Sequence, residues 1–324
     1  MNPPAANGSP VCAGRRAFLG CLAAPIVGVR AADEGSWPNR PLRLVVAFAP
    51  GGPIDNLARW LAQRLAERLS VPVLVDNRPG AGGNLALEHV ARASPDGMTW
   101  LLTSSVVATN PVFLRMPVDP QKDLAPVALI SRSEMMLFAR RDLPASNAGE
   151  LLALLRDRPQ GLSCGASGGG TRLGCELLRQ TSATPLVVVE YKGSAPAMSD
   201  LAAGHIDLAV DLAMAGRGLL AAGRIRALAR TGAQRGGGAA GELLPGFDID
   251  GWQAMFAPVG TPAASITRMN VEINRVLADR ASRERLFELG LEPVGGGPET
   301  LILTLRDDTT RYRRIGRAAG LQPD

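Results

Sequence analysis

The chain has 324 residues, about twice the length of an ordinary domain, and it is 46% hydrophobic and 20% charged. That composition supplies buried cores and excludes global disorder, while an aromatic content of only 4% argues against an aromatic cage or a base-stacking surface. The formal charge is +5, but Arg15, Arg16 and Arg30 stand in an opening segment of 32 residues that holds no acid. The basic balance is therefore not the footprint of a nucleic-acid-binding domain, and no nucleic-acid partner is expected.

That opening segment reads as an export address. Polar Met1–Gly14 precedes Arg15-Arg16, and an apolar stretch follows from Ala17 to Val29. At about 13 residues it is shorter than the roughly 20 needed to cross a bilayer, and its basic flank and length fit a secretory signal. The small residues around Arg30 place cleavage near Ala31 or Ala32, so residues 1–32 are expected to be removed. The string Arg15-Arg16-Ala17-Phe18-Leu19 also resembles a twin-arginine signal, and the Sec and twin-arginine routes both stay open. An exported protein is expected.

Export changes the reading of the cysteines. Cys12 and Cys21 leave with the signal, and Cys164 and Cys175 remain. With His89 and His205 far apart, no metal-ligand spacing exists, so neither a metal nor a cofactor is expected. An oxidising compartment permits a Cys164–Cys175 disulfide, and two buried thiols are the other reading.

In chain order, Leu42–Phe48 is an aliphatic run read as a buried strand, broken by Ala49-Pro50-Gly51-Gly52-Pro53. Ile54, Leu57, Trp60, Leu61, Leu65 and Leu69 then recur at helical spacing. Val71–Val75 is a second strand, Asn77–Gly83 a loop, and a helix runs on to Ala93. Pro95-Asp96-Gly97 turns into a third strand at Met98–Thr103. Strand and helix alternate as in a parallel sheet flanked by helices.

A second α/β unit follows the apolar run Met135–Ala139. Ser146 opens a helix that ends near Arg158-Pro159, and a strand at Leu162–Cys164 enters Gly165–Thr171. A helix, the strand Leu186–Glu190, the helix Ala195–Ala203 and the strand Ile206–Val210 complete it. Gly236–Gly241 reads as a loop. Trp252–Ala257 is a further extended run, and the C-terminal part is helical. The two extended runs bracket the second unit, so the first lobe is expected to be discontinuous: residues 37–140 plus 251–324, with 141–250 as the second lobe. The fold class is α/β: two lobes with mostly parallel sheets, joined by two hinge strands around a cleft able to close.

Gly165-Ala166-Ser167-Gly168-Gly169 satisfies the G-x-S-x-G pattern of a hydrolase nucleophile elbow. A serine hydrolase needs a base, and the one histidine after Ser167 is His205, 38 positions on. No G-x-x-x-x-G-K-[ST] string exists, so a phosphate-cradling P-loop is absent. What remains is a glycine-rich strand-to-helix loop in each lobe. Backbone N–H groups at a helix N-terminus attract anions, by about 0.3–1 kcal/mol per end. Gly51 and Gly52 permit close approach and Pro53 suits the first helical turn. Asp55 would repel an anion; it fits better as a cap for loop amides or as a partner for a ligand's ammonium group.

Several strings now bear a family likeness. They include Phe48-Ala49-Pro50-Gly51-Gly52-Pro53-Ile54-Asp55, Val75-Asp76-Asn77-Arg78-Pro79-Gly80-Ala81-Gly82-Gly83-Asn84, Ser94-Pro95-Asp96-Gly97, Lys122-Asp123-Leu124-Ala125-Pro126-Val127 and Tyr191-Lys192-Gly193-Ser194-Ala195-Pro196-Ala197. With them the chain resembles the substrate-binding proteins of tripartite tricarboxylate transporters, the TctC or Bug receptors, from about Pro38 to the C-terminus.

The resemblance implies a periplasmic solute receptor, not an enzyme, whose two lobes close on a small carboxylate: a di- or tricarboxylate, an amino acid or an aromatic acid. The loops after the first strand of each lobe would pinch one carboxylate. In this chain they carry Ala49, Gly51, Gly52 and Asp55 on one side and Ala166, Ser167, Gly168 and Thr171 on the other. Ser104, Ser105 and Asp211 match positions lining the rest of the cleft. The implied partners are the membrane subunits of a permease (TctA- and TctB-like) or, for an orphan receptor, a sensor protein, with the receptor itself a monomer. The chain departs from the pattern after Thr171, where about two residues are missing beside the pocket, and after Arg235, where Gly236–Gly241 replaces a proline-rich loop. A serine hydrolase built on Ser167 and an orphan receptor acting in sensing are the alternatives.

Overall fold

The computed structural model describes residues 37–158, 160–230, 242–243, 247 and 249–323. The export segment, Cys12, Cys21 and Gly236–Gly241 lie outside the described residues. From Pro38 onward the chain forms one compact unit containing two mixed sheets.

The first sheet begins with β1 (Leu42–Val46), whose aliphatic residues are buried as befits a central strand. Helix α1 (Pro53–Leu69) follows, with proline in its first turn and Leu57, Leu61, Leu65 and Leu69 on its buried face. Its cap is Ser70 in the left-handed region, φ 57°. The Leu42 N–H then bonds to the Pro72 carbonyl at 2.9 Å, so pairing starts later than the sequence suggests. Strand β2 accordingly spans Val73–Asn77, not Val71–Val75. A 3₁₀ turn at Ala81–Gly83 leads into α2 (Asn84–Ala91), followed by β3 (Thr99–Ser104), α3 (Val106–Phe113) and β4 (Leu124–Ser133).

The second sheet opens with β5 (Met135–Arg140), α4 (Ala148–Arg156), β6 (Leu162–Ala166) and α5 (Gly169–Ser182). It continues through β7 (Leu186–Glu190), α6 (Ser194–Ala203), β8 (Leu208–Leu212), α7 (Ala213–Ala221), β9 (Ile225–Arg230) and β10 (Glu242–Leu243). The residue that caps α4 is Asn147, whose side chain accepts from the Glu150 N–H. Ser146 instead bonds to the Glu150 carboxylate, from both its N–H and its hydroxyl. The chain returns to the first sheet with β11 (Gly251–Pro258), then adds α8 (Ala263–Ala278), α9 (Arg280–Glu288), β12 (Glu292–Pro293) and α10 (Pro298–Ala318).

Strand order is β12-β4-β11-β3-β1-β2 in the first sheet and β10-β9-β5-β8-β6-β7 in the second. The pairs β1–β2, β1–β3, β6–β7, β6–β8 and β9–β10 are parallel, whereas β11 and β5 run antiparallel to both of their neighbours. The sheets are thus mixed, because the strands next to each crossing re-enter against the direction of the βα units. The outward crossing falls at Glu134, between β4 and β5, which corrects the expected boundary. Met135–Ala139 is buried between β8 and β9 and belongs to the second sheet, not to residues 37–140 of a first lobe. An apolar run announces a strand but not its partners.

The crossings lie side by side. A Cβ built on Gly251 would come within 2.5 Å of the Ser133 hydroxyl oxygen, which would have to move to admit any larger residue. Helix α10 braces the same region: Trp252 Nε1 donates to Asp308 Oδ2 at 2.7 Å, and the fully buried Tyr312 packs one turn further on. Gln180 of α5 donates to the Ile315 carbonyl at 2.9 Å, tying the second sheet's helix layer to α10. Cys164 of β6 and Cys175 of α5 form a disulfide with Cα atoms 6.1 Å apart.

Candidate functional site

The strand-to-helix loops of both sheets follow one sequence logic: an aliphatic strand ends, glycine takes over, and a helix starts. The first residues of α1, α2, α5 and α6 are each preceded by a glycine cap, Gly52, Gly83, Gly168 and Gly193, which offers no capping side chain. Positive dipole ends therefore stand without a capping side chain from the glycine at the C-terminal edges of β1, β2, β6 and β7, although at α2 the Asn84 N–H bonds to the Ala81 carbonyl. Gly51 and Gly168 are exposed, and Gly51 sits at φ +82°.

Asp55 shapes the first loop from behind. It is 1% exposed, and its Oδ2 accepts from the Gly51 N–H at 2.8 Å and from Arg59 Nε at 2.9 Å. Its Oδ1 accepts from Asn77 Nδ2 at 2.8 Å. Burial alone would raise its pKa, but the hydrogen bonds from Arg59, Gly51 and Asn77 outweigh it and hold the carboxyl below the usual range. Of its two sequence readings, this geometry corresponds to the loop cap. The neighbouring loop is held similarly, for buried Asn110 donates to Asn84 Oδ1 at 2.8 Å and to the Gly82 carbonyl at 3.0 Å. Ser104 and buried Ser105 stand where β3 gives way to α3, with the Ser105 N–H bonded to the Trp252 carbonyl at 2.9 Å.

In the second sheet the Thr171 hydroxyl accepts from the Ser167 N–H at 2.7 Å and the Gly168 N–H at 2.9 Å, and donates to the Gly168 carbonyl at 2.9 Å. One proton and two lone pairs are thereby used up, so Thr171 positions the loop and has no bond left for a ligand. Ser167 donates to Asp211 Oδ2 at 2.8 Å, and Ser194 donates to Asp211 Oδ1, also at 2.8 Å. Asp211 further accepts from the Leu212 N–H at 2.7 Å. Among the described residues no cation pairs with this carboxylate, which is 1% exposed, and burial raises its pKa despite those three bonds. Ser194, which joins this cluster, is not among the candidate residues read from the sequence; the Gly193-Ser194 pair at the start of α6, echoing Gly168 before α5, is the available signal.

The geometry brings Ser167, Gly168, Thr171 and Asp211 into one bonded cluster, and it places Ala166 at the end of β6 beside them. Ala49, Gly51, Gly52 and Asp55 form a separate loop on the first sheet. The two sides approach through α3 and α5: a Cβ on Gly169 would lie 3.3 Å from Thr109 Oγ1, and the Arg172 guanidinium sits 5.0 Å above the Phe113 ring. The hydrolase alternative loses its base, since His205 stands exposed with Nδ1 3.3 Å from Asp200, in a different turn from Ser167. A cavity of about 400 Å³ lies elsewhere, between α10 and β4. Its charged lining is Arg132 and Arg311 against Asp250, Glu299, Asp307 and Asp308, a poor balance for an anion.

A family profile described as tripartite tricarboxylate transporter family receptor matches residues 57–321. A UPF0065 protein from the tcbD-tcbE intergenic region of Pseudomonas sp. strain P51 is 35% identical over 316 residues, covering 93% of this chain and 94% of its own. The structure of R. palustris Rpa4515 with adipate superimposes with a TM-score of 0.79 at 34% identity, over 89% of this chain and all of that one. The periplasmic binding protein BugD gives 0.74 at 31% identity over the same shares. With its profile match running from within α1 to beyond α10, the chain belongs to the tripartite tricarboxylate transporter receptor family, a family of solute-binding receptors and not of enzymes.

Proposed function

We propose that the protein is a periplasmic receptor that closes its two sheets on a small carboxylate and delivers it to the membrane subunits of a tripartite transporter. The observation that carries the ligand class is the pairing of open glycine-capped helix N-termini, α1 on one sheet and α5 on the other, at the edges that approach each other through α3 and α5. Such ends supply N–H donors and partial positive charge without a counter-ion, which suits a carboxylate. The adipate bound to Rpa4515 supports the same class. On this reading residues 1–32 are the export signal, and the lobes hinge where β4 passes into β5 and where the chain re-enters β11.

The test is thermal melting of the purified protein with succinate, adipate, aspartate and benzoate, each beside its uncharged amide. A ligand at about 100 times its dissociation constant adds about 2.7 kcal/mol, enough to raise melting by roughly 5–10 °C. At least one acid is expected to do so and none of the amides. Equal shifts from acids and amides, or no shift from any acid, would reject a carboxylate receptor.

A further inference from the structure

Asp211 is a buried anion behind a wall proposed to receive an anion, and that juxtaposition constrains the ligand. A serine hydroxyl has one proton. Ser167 and Ser194 both direct theirs to the Asp211 carboxylate at 2.8 Å, and the 3.4 Å approach of Ser194 to Ser167 is too long to compete with a charge-assisted bond. Both serines are half-buried, at the ends of β6 and β7 where α5 and α6 begin. What they offer outward is oxygen lone pairs.

We propose that Asp211 makes Ser167 and Ser194 an accepting wall, so that the ligand is a carboxylate that also carries a hydrogen-bond donor, a hydroxyl or an ammonium group, and not a plain dicarboxylate. This rests on the carboxylate-receptor reading above and deepens it. The helix N-termini would take the carboxylate and the serine oxygens the donor. An ionised carboxylate at the serine pair would face lone pairs with a negative charge behind them. Among the described residues no cation offsets that charge: β5 places Met136 opposite Asp211, β6 ends in Ala166, α5 brings Thr171, and α7 begins with Ala213, none of which ionises.

The experiment is calorimetric titration of the purified protein with matched series, succinate against malate and aspartate, and adipate against 2-hydroxyadipate and 2-aminoadipate. In the wild type a donor-bearing member is expected to bind at least about tenfold more tightly than its plain partner. Asp211→Asn supplies an amide that donates to one serine, freeing that hydroxyl's proton, so plain acids gain and the ratio falls below about threefold. Plain acids binding as tightly as substituted ones in the wild type, or an unchanged ratio in Asp211→Asn, would overturn the inference and leave the carboxylate reading standing. If Asp211→Asn does not fold, Ser194→Ala decides: it removes one accepting oxygen, so the ratio should shrink, and an unchanged ratio would overturn the inference. Absence of binding by every carboxylate removes both readings together.

Discussion

Two glycines in the proposed cleft separate binding from folding. Gly51 sits at φ +82°, in the left-handed region, whereas Gly168 sits at φ 166°, ψ −179°, an extended geometry that any residue adopts. A Cβ at either position meets nothing within 4 Å. Gly51→Val therefore strains the backbone by about 1–2 kcal/mol, lowering the melting temperature by roughly 2–8 °C. Gly168→Val exchanges one weak cap for a poorer one, costing up to about 1 kcal/mol, without clash. Its added methyls project into open space beside the N-terminus of α5. If a carboxylate accepts backbone N–H bonds there, losing one charge-assisted bond of about 1.5–3 kcal/mol weakens binding by roughly 10- to 150-fold. Calorimetric titration and melting are run on both variants. A Gly168→Val protein that binds its carboxylate like wild type would refute the idea that the α5 loop receives the ligand through its backbone.

Thr171→Ala removes an oxygen that serves two amides and a carbonyl, and is expected to destabilise by about 1–3 kcal/mol in urea unfolding, with Thr171→Ser recovering most of it. Replacing both Cys164 and Cys175 by alanine opens a loop of about ten residues and should lower stability by about 2–3 kcal/mol; reduction of the wild type should reproduce the loss. Asp55 has its folded-state pKa held below the ordinary value of 3.8, so its stabilising contribution is present above pH 3.8 and is lost as pH falls through the folded value. Asp55→Asn is expected to melt lower than wild type at neutral pH, with the gap narrowing below that point; a gap constant with pH would contradict the assignment. Asp211, with its pKa raised by burial, works the other way, and its protonation as pH falls should favour the folded state.

Local features of this fold were legible in the sequence and long-range ones were not. The strand Leu42–Val46, its glycine break and helix α1 are visible because apolar period and Gly/Pro punctuation are written in consecutive residues. Asp55 belongs to the same class, since its bonds to Gly51 and Arg59 span four residues each. Strand β4 is not legible because Leu-Ala-Pro-Val-Ala-Leu-Ile-Ser-Arg-Ser carries a proline and ends polar, and its pairing with β11 and β12 is what identifies it. The sheet to which Met135–Ala139 belongs is likewise set by partners some 70–90 residues away. Asp211 lies 44 positions from Ser167 and 17 from Ser194. Their meeting depends on the parallel register of β6 with β7 and β8, which spacing alone does not encode.

The most direct measurement is the crystal structure of the protein with a bound carboxylate. The ligand's carboxylate should lie between Ala49–Gly52 and Ser167–Gly170, with oxygens about 3 Å from backbone nitrogens of both loops. A carboxylate found instead in the cavity against α10, held by Arg132 and Arg311, would contradict the account.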